Sequence, residues 1–485
     1  MSTESSPTER ATRACRLCRS RKKACDKQLP QCGYCAQHQA ICEYDFEVVA
    51  EDQSRRDGLA AASVLALRSI IPSQLNFREQ GLPTNSTNLY RVEVERIIQS
   101  MGWTTQNICQ RFIEEFDGCF SIVAPKTIQD ILELPDMQPP DTWVMILTML
   151  NMVLNPVSDT LYMASKTLFT TLHATHPVSA AQLQAAVLLC AYEYSCGSFG
   201  KASISIAMCD RMASVLGISR WLFPSNREHL DRIDTTPEQW NIRWAIETLD
   251  RLLYSTMEFG DKIQWEIAAE SLAYLPLDLN GLDPNRSDLN DALDILQREF
   301  HRNVPTSTLK ESSEFILQAQ AVFKLGMIQR AINAQDDLTR PEQLDDEIQT
   351  FLVQLTAADM GPRILSPGGV TIAILVRSLF VLHKWILSSI PYYRVKEEEL
   401  NLIIQRSKAA LQTAAKLVVD AGMDHVHHDG TLSMHSLPLC CRENVRDAKK
   451  VYTEILHPGD HRAELQQLEL IQAGLNKRWP KDMTA

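Results

Sequence analysis

Six cysteines lie between residues 15 and 42: Cys15, Cys18, Cys25, Cys32, Cys35 and Cys42, spaced C-x2-C-x6-C-x6-C-x2-C-x6-C. A segment that short cannot bury enough apolar surface to fold by itself. Its staples must come from the thiols. The N-terminal stretch MSTESSPTERATR carries no apolar run of the secretory type, so a reducing compartment is expected, where clustered thiols serve as metal ligands rather than disulfides. Zinc takes four such ligands in a tetrahedron, at about 2.3 Å. One zinc would leave two thiols spare, as in a single-metal knuckle for protein contacts. Two zincs need eight ligand places, which six sulfurs fill only when two of them bridge. The exact repeat of C-x2-C-x6-C favours two Zn2+, with one equivalent pair of sulfurs between the metals. Metal binding then supplies most of the folding free energy, on the order of 10 kcal/mol or more per site.

The two halves of the repeat differ in charge. Residues 10–27 hold Arg10, Arg13, Arg16, Arg19, Arg21, Lys22, Lys23 and Lys27 against one acid, Asp26, whereas CGYCAQHQAIC has neither Lys nor Arg. The whole chain of 485 residues carries a net charge of -12. A basic head on an acidic body is the charge map of a protein that binds nucleic acid through the head. The cations also favour the thiolate form that zinc requires.

With Arg19, the pair Arg21-Lys22, Cys25-Asp26 and Pro30 in place, the head resembles the fungal binuclear zinc cluster transcription factors. The resemblance implies that Cys15 and Cys32 bridge, that Cys18 and Cys25 complete one zinc site, and that Cys35 and Cys42 complete the other. It places a short helix at each C-x2-C unit and Lys22 where the family reads a CGG triplet in double-stranded DNA. Lysine donating to guanine O6 and N7 is sound chemistry. Arg10, Arg13, Arg16, Arg19, Arg21, Lys23 and Lys27 are then backbone contacts that set affinity and salt dependence. RSRKK also fits part of a nuclear localisation signal.

The expected organisation is a disordered arm over 1–14, the cluster over 15–42, an acidic linker over 43–87 with at most a short helix, and an all-α domain over 88–485. Many members of that family follow the cluster with a dimerising coiled coil. Here the only candidate, GLAAASVLALRSIIP from Gly58 to Pro72, is under two heptads long, and a stable coiled coil needs about three or four. That leaves either monomeric binding or a homodimer formed through the helical body.

Beyond residue 88 apolar residues recur at helical spacing, as in SAAQLQAAVLLCAYEYSC and QWNIRWAIETLDRLLYSTME, with no alternating strands. Three segments resemble the regulatory middle homology region of fungal regulators: RFIEEFDGCFSIVAPKTI, QLQAAVLLCAYEYSCGSFGKASISIAMCDRMASVLGIS and WNIRWAIETLDRLLYS. The resemblance implies a body that transmits signals or contacts transcription coregulators. Gly197 and Gly200 are read as letting two helices turn back on each other, and Asp250-Arg251 as an ion pair. TWVMILTMLNMVL and VTIAILVRSLFVLHKWILSSI are read as buried core helices, not membrane spans. Cys109, Cys119, Cys190, Cys196, Cys209, Cys440 and Cys441 are read as core residues.

No P-loop, dinucleotide fingerprint or nucleophile elbow occurs, so no enzyme is expected. HVHHDG, from His425 to Gly430, is half of a two-metal hydrolase motif and reads as a polar interhelix loop, although Cys440 and Cys441 follow it. DPNRSDLNDALD has Asp288 where a calcium loop needs glycine. The reading is a nuclear, sequence-specific regulator of RNA polymerase II genes. Its rivals are a protein-docking zinc head and an enzyme with a targeting head.

Overall fold

The computed structural model describes residues 16–21, 23–28, 31–38, 42, 85–117, 120–154, 158–218, 237–256, 314–334, 339–357, 369–390, 396–426, 439–456 and 461–479. The chain divides into two compact units, Met1–Pro72 and Ser73–Ala485. Cys15, Lys22, Pro30, the Gly58–Pro72 segment, Cys119 and the DPNRSDLNDALD stretch lie outside the described residues, as does HVHHDG beyond Val426.

In the first unit two short helices, α1 (Arg16–Ser20) and α2 (Gly33–Gln37), pack against each other. Their buried centre is sulfur: Cys18, Cys32 and Cys35 are fully buried, and Leu17, Cys25, Tyr34 and Cys42 pack around them. The thiols take the place of an apolar core.

The second unit is helical, with no strand among the described residues. Its first half contains α3 (Asn85–Ser100), α4 (Thr105–Phe112), α5 (Pro125–Glu133), α6 (Pro140–Val153), α7 (Asp159–Thr175), α8 (Ala180–Ser195), α9 (Phe199–Val215) and α10 (Pro237–Thr256). The second half contains α11 (Glu314–Ala334), α12 (Thr339–Ala357), α13 (Gly369–Ser389), α14 (Glu397–Asp424), α15 (Cys441–Lys450) and α16 (Arg462–Arg478). Local chemistry starts and stops these helices. Thr104, Ser158 and Ser179 accept the N–H three residues on at the heads of α4, α7 and α8. Pro125, Pro140 and Pro237 open α5, α6 and α10, where a missing N–H costs nothing. Gly197 takes φ +76° and closes α8, with Ser198 N–H donating to Glu193 C=O at 2.9 Å. Gly200 has no such duty: it lies in the first turn of α9 with open space where a side chain would go.

The apolar stretches become the centres of the two halves. In α6 every residue from Thr142 to Val153 is buried, and α3, α4, α7 and α8 pack around it. α13 is long and apolar enough to cross a membrane by length and composition, and 78% of its most apolar window is buried inside the protein. Its neighbours are α11, α12, α14 and α15.

Buried charges tie the halves together. On α13, Arg377 pairs with Asp447 of α15 and donates to the Ser255 hydroxyl at 2.9 Å and to its carbonyl, at the end of α10. Lys384 reaches the same Asp447 at 2.9 Å. Burial pushes the Asp447 carboxyl up, but the Arg377 and Lys384 charges outweigh it and bring it down to about 2. Arg478 of α16 donates to the Met152 carbonyl at 2.9 Å and meets Glu115 at 3.2 Å. The expected Asp250–Arg251 pair takes another form. Both residues are buried, but Arg251 pairs with Glu247, which also meets Arg243 at 3.5 Å. Adjacent helical residues diverge, whereas residues four apart share a face.

The three segments singled out in the body converge. Glu238 of α10 accepts the Ala124 N–H at 2.7 Å and the Gln184 amide at 3.0 Å. Gln184 of α8 donates to the Ile122 carbonyl at 2.6 Å, and Asn241 of α10 to the Ser121 carbonyl at 2.9 Å.

Candidate metal centre and nucleic-acid interface

The five described cysteines of the head form two groups. Cys18, Cys25 and Cys32 have their sulfurs within 4.8 Å of one another, and so do Cys32, Cys35 and Cys42. Cys32 belongs to both. Cys18 Sγ and Cys32 Sγ are 3.7 Å apart. That is far too long for a disulfide. It matches the edge, about 3.8 Å, of a tetrahedron built on Zn–S bonds of about 2.3 Å. The thiols therefore fit a metal: each group offers three ligands of one tetrahedron, and one sulfur is placed to serve two.

Backbone groups support the sulfurs. Cys32 caps α2, its sulfur accepting the Cys35 N–H at 3.5 Å, and the Cys32 N–H points at Cys42 Sγ at 3.3 Å. The cysteines of the body differ. Cys109, Cys190, Cys196, Cys209 and Cys440 are buried, and burial pushes the Cys109 thiol to about 11 and the Cys440 thiol to about 12. Among the described residues no further group of three or more metal-type side chains forms, so His425, Cys440 and Cys441 do not make one. His425 is also no surface loop residue; it is buried.

Asp26 has a role beyond its charge. Both its carboxylate oxygens lie 3.0 Å from the Gly33 N–H, at the head of α2, linking the two halves of the repeat. A Cβ at Gly33 would stand 2.7 Å from Asp26 Oδ2, so only glycine admits the acid so closely. The sequence signal was an acid just after the third cysteine and a glycine just after the fourth. Asp26→Ala is expected to cost the head about 1 kcal/mol, as loss of a helix cap does. A chelator titration of the zinc-loaded protein would register this as earlier zinc release.

Arg19, Arg21 and Lys23 are exposed on α1 and just beyond it, and Lys27 is half-buried in a left-handed backbone conformation, φ +61°. The backbone of Arg16 opens α1. Arg10, Arg13 and Lys22 lie outside the described residues, as does the Arg16 side chain. α2 carries no charge of either sign. It instead holds half-buried Tyr34, whose ring lies 4.5 Å from that of His38 and is tilted against it. The cationic edge thus belongs to the first half of the repeat.

No curated protein matches the chain. Residues 13–47 match a protein family, and that match accounts for the sulfur core, the shared cysteine and the one-sided charge: this chain carries a fungal Zn(2)-Cys(6) binuclear cluster domain, the zinc-holding, DNA-binding domain of fungal transcription factors.

Proposed function

We propose that this protein is a nuclear regulator of RNA polymerase II genes that reads CGG-type triplets in double-stranded DNA. The observation that carries the reading is the pair of thiol groups sharing Cys32, flanked by exposed Arg19, Arg21 and Lys23 on one half only. Two zincs held by Cys15, Cys18, Cys25, Cys32, Cys35 and Cys42 stiffen the head, with Cys15 and Cys32 bridging. Lys22 donates to guanine edges, and Arg10, Arg13, Arg16, Arg19, Arg21, Lys23 and Lys27 meet phosphates and fix the register. The helical body transmits a regulatory state or contacts coregulators, and is the place for a homodimer interface if one forms. Support for this comes from the convergence of three segments that resemble the middle homology region.

The test separates reading from holding. Full-length protein is titrated against a duplex bearing CGG and a scrambled duplex, by fluorescence anisotropy at several salt concentrations. Lys22→Ala is expected to lose about 1–3 kcal/mol on the CGG duplex and much less on the scrambled one. Arg19→Ala is expected to weaken both alike and to lower the log-affinity versus log-salt slope by about one unit. Zinc content is checked first in each variant. Equal weakening of both duplexes by Lys22→Ala would move base reading to a neighbour. No preference for CGG in the wild-type protein would favour a protein-docking head.

A further inference from the structure

The second half of the body holds a half-open cavity of about 690 Å³ between α12, α13, α14, α15 and α16. That is within the usual range for small-molecule sites. Its walls are chiefly hydrocarbon, with Ile372 and Val376 from α13, Val418 from α14, and Ile471 and Leu475 from α16. Small residues, among them Ala373 and Ala410, keep it open.

Two of the polar side chains in the lining are themselves buried. His425, at the end of α14, is 4% exposed, and its Nδ1 has no hydrogen-bond partner among the described residues. Asn444, in the first turns of α15, is 3% exposed. Its amide donates to the Ala373 carbonyl at 2.8 Å, while its Oδ1 accepts nothing among the described residues. Buried polar atoms left without partners are costly.

The charges in the lining argue against an anion. Arg406 is held by Asp345 at 3.0 Å and Asp346 at 2.8 Å, with Glu342 at 4.0 Å, so its charge is already met. The other charge in the lining, Asp420, is exposed and would repel a carboxylate or phosphate.

We propose that this cavity is a binding site for an uncharged, mostly hydrocarbon small molecule, with Asn444 and His425 in its wall. The site belongs to the second unit, and its assignment does not depend on the reading of the zinc cluster. It lies in the unit whose helices α13 and α15 also carry the Arg377–Asp447 pair, so an occupant would stiffen that pair's surroundings.

N-phenyl-1-naphthylamine, an uncharged aromatic with one N–H, is a suitable probe because its fluorescence rises in apolar sites. Titrated into the full-length protein, it is expected to saturate at one equivalent with micromolar affinity. Ala373→Phe and Ala410→Phe fill the space from two different helices, and each is expected to weaken the probe at least tenfold with circular dichroism and melting unchanged. If one of them fails to fold, the other decides. As a measurement that needs no variant, the probe is expected to slow hydrogen exchange in α13, α14 and α15 and not in α6. The proposal is overturned if the wild-type protein shows no saturable site, or if both filled variants bind as well as the parent. It is overturned equally if binding appears only after residues 427–438 are replaced by a Gly/Ser linker, because the chain's own segment would then be the occupant.

Discussion

Cys32→Ala is expected to strip both zincs from the head, whereas Cys35→Ala is expected to disturb mainly one. The asymmetry follows from geometry. Cys32 lies within 4.8 Å of both the Cys18–Cys25 pair and the Cys35–Cys42 pair, and Cys35 belongs to the second group only. Because the buried centre of this unit is sulfur, each lost zinc removes on the order of 10 kcal/mol of folding free energy. Nothing apolar replaces it. Native mass spectrometry of the intact chain gives the zinc count, and alkylation of the head cysteines gives the number of released thiols. The parent should show two zincs and protected head thiols, and Cys32→Ala none. If Cys32→Ala kept one zinc as firmly as Cys35→Ala does, Cys32 would not be the shared ligand.

In the body, Asp447→Ala is expected to cost about 3–5 kcal/mol, the penalty for leaving a buried charge without its partner. Arg377 is 1% exposed, and its guanidinium depends on Asp447 and the Ser255 groups. Urea denaturation followed by circular dichroism would measure the loss. The paired change Arg377→Met with Asp447→Leu should recover most of it, since an apolar pair of similar volume often replaces a buried ion pair without loss. A double variant as unstable as Asp447→Ala would show that the Ser255 contacts or the stranded Lys384, not the Arg377–Asp447 pair, carry the effect. The same carboxylate sets an acid limit. Asp447 is depressed to about 2 when folded, against roughly 3.9 unfolded. Its contribution, on the order of 2 kcal/mol, is therefore present above pH 4 and fades as pH falls towards 2. Asp447→Asn should lose that part of the parent's acid sensitivity.

The head was legible because its information is one-dimensional. The cysteine intervals alone define two equivalent thiol sets, and the charge of RSRKK against CGYCAQHQAIC tells the halves apart. The helical class of the body was legible for the same reason: apolar positions recur at three and four, and α6 is apolar nearly throughout. What stayed hidden needed three dimensions. Arg251 chose Glu247 one turn back over adjacent Asp250, a choice that helical geometry makes and sequence adjacency conceals. Gly200 resembled Gly197 in the sequence, but only Gly197 takes the positive φ that ends a helix. His425 looked like part of a polar loop, yet it closes a long helix and turns inward. The cavity beside it is shared by five helices, and no single stretch announces it.

Three arginines near the C-terminal end reach far back along the chain. Arg377 meets Ser255, 122 residues earlier; Arg442 donates to the Ser195 carbonyl, 247 residues earlier; Arg478 pairs with Glu115, 363 residues earlier. During synthesis at roughly 5–20 residues per second, Glu115 and the end of α6 must wait tens of seconds before Arg478 is made. The zinc head can fold on the ribosome long before then. The body cannot complete its ion pairs until α16 has emerged, so the nascent chain carries a finished DNA-binding head on an unfinished, apolar-faced body that chaperones would have to shield.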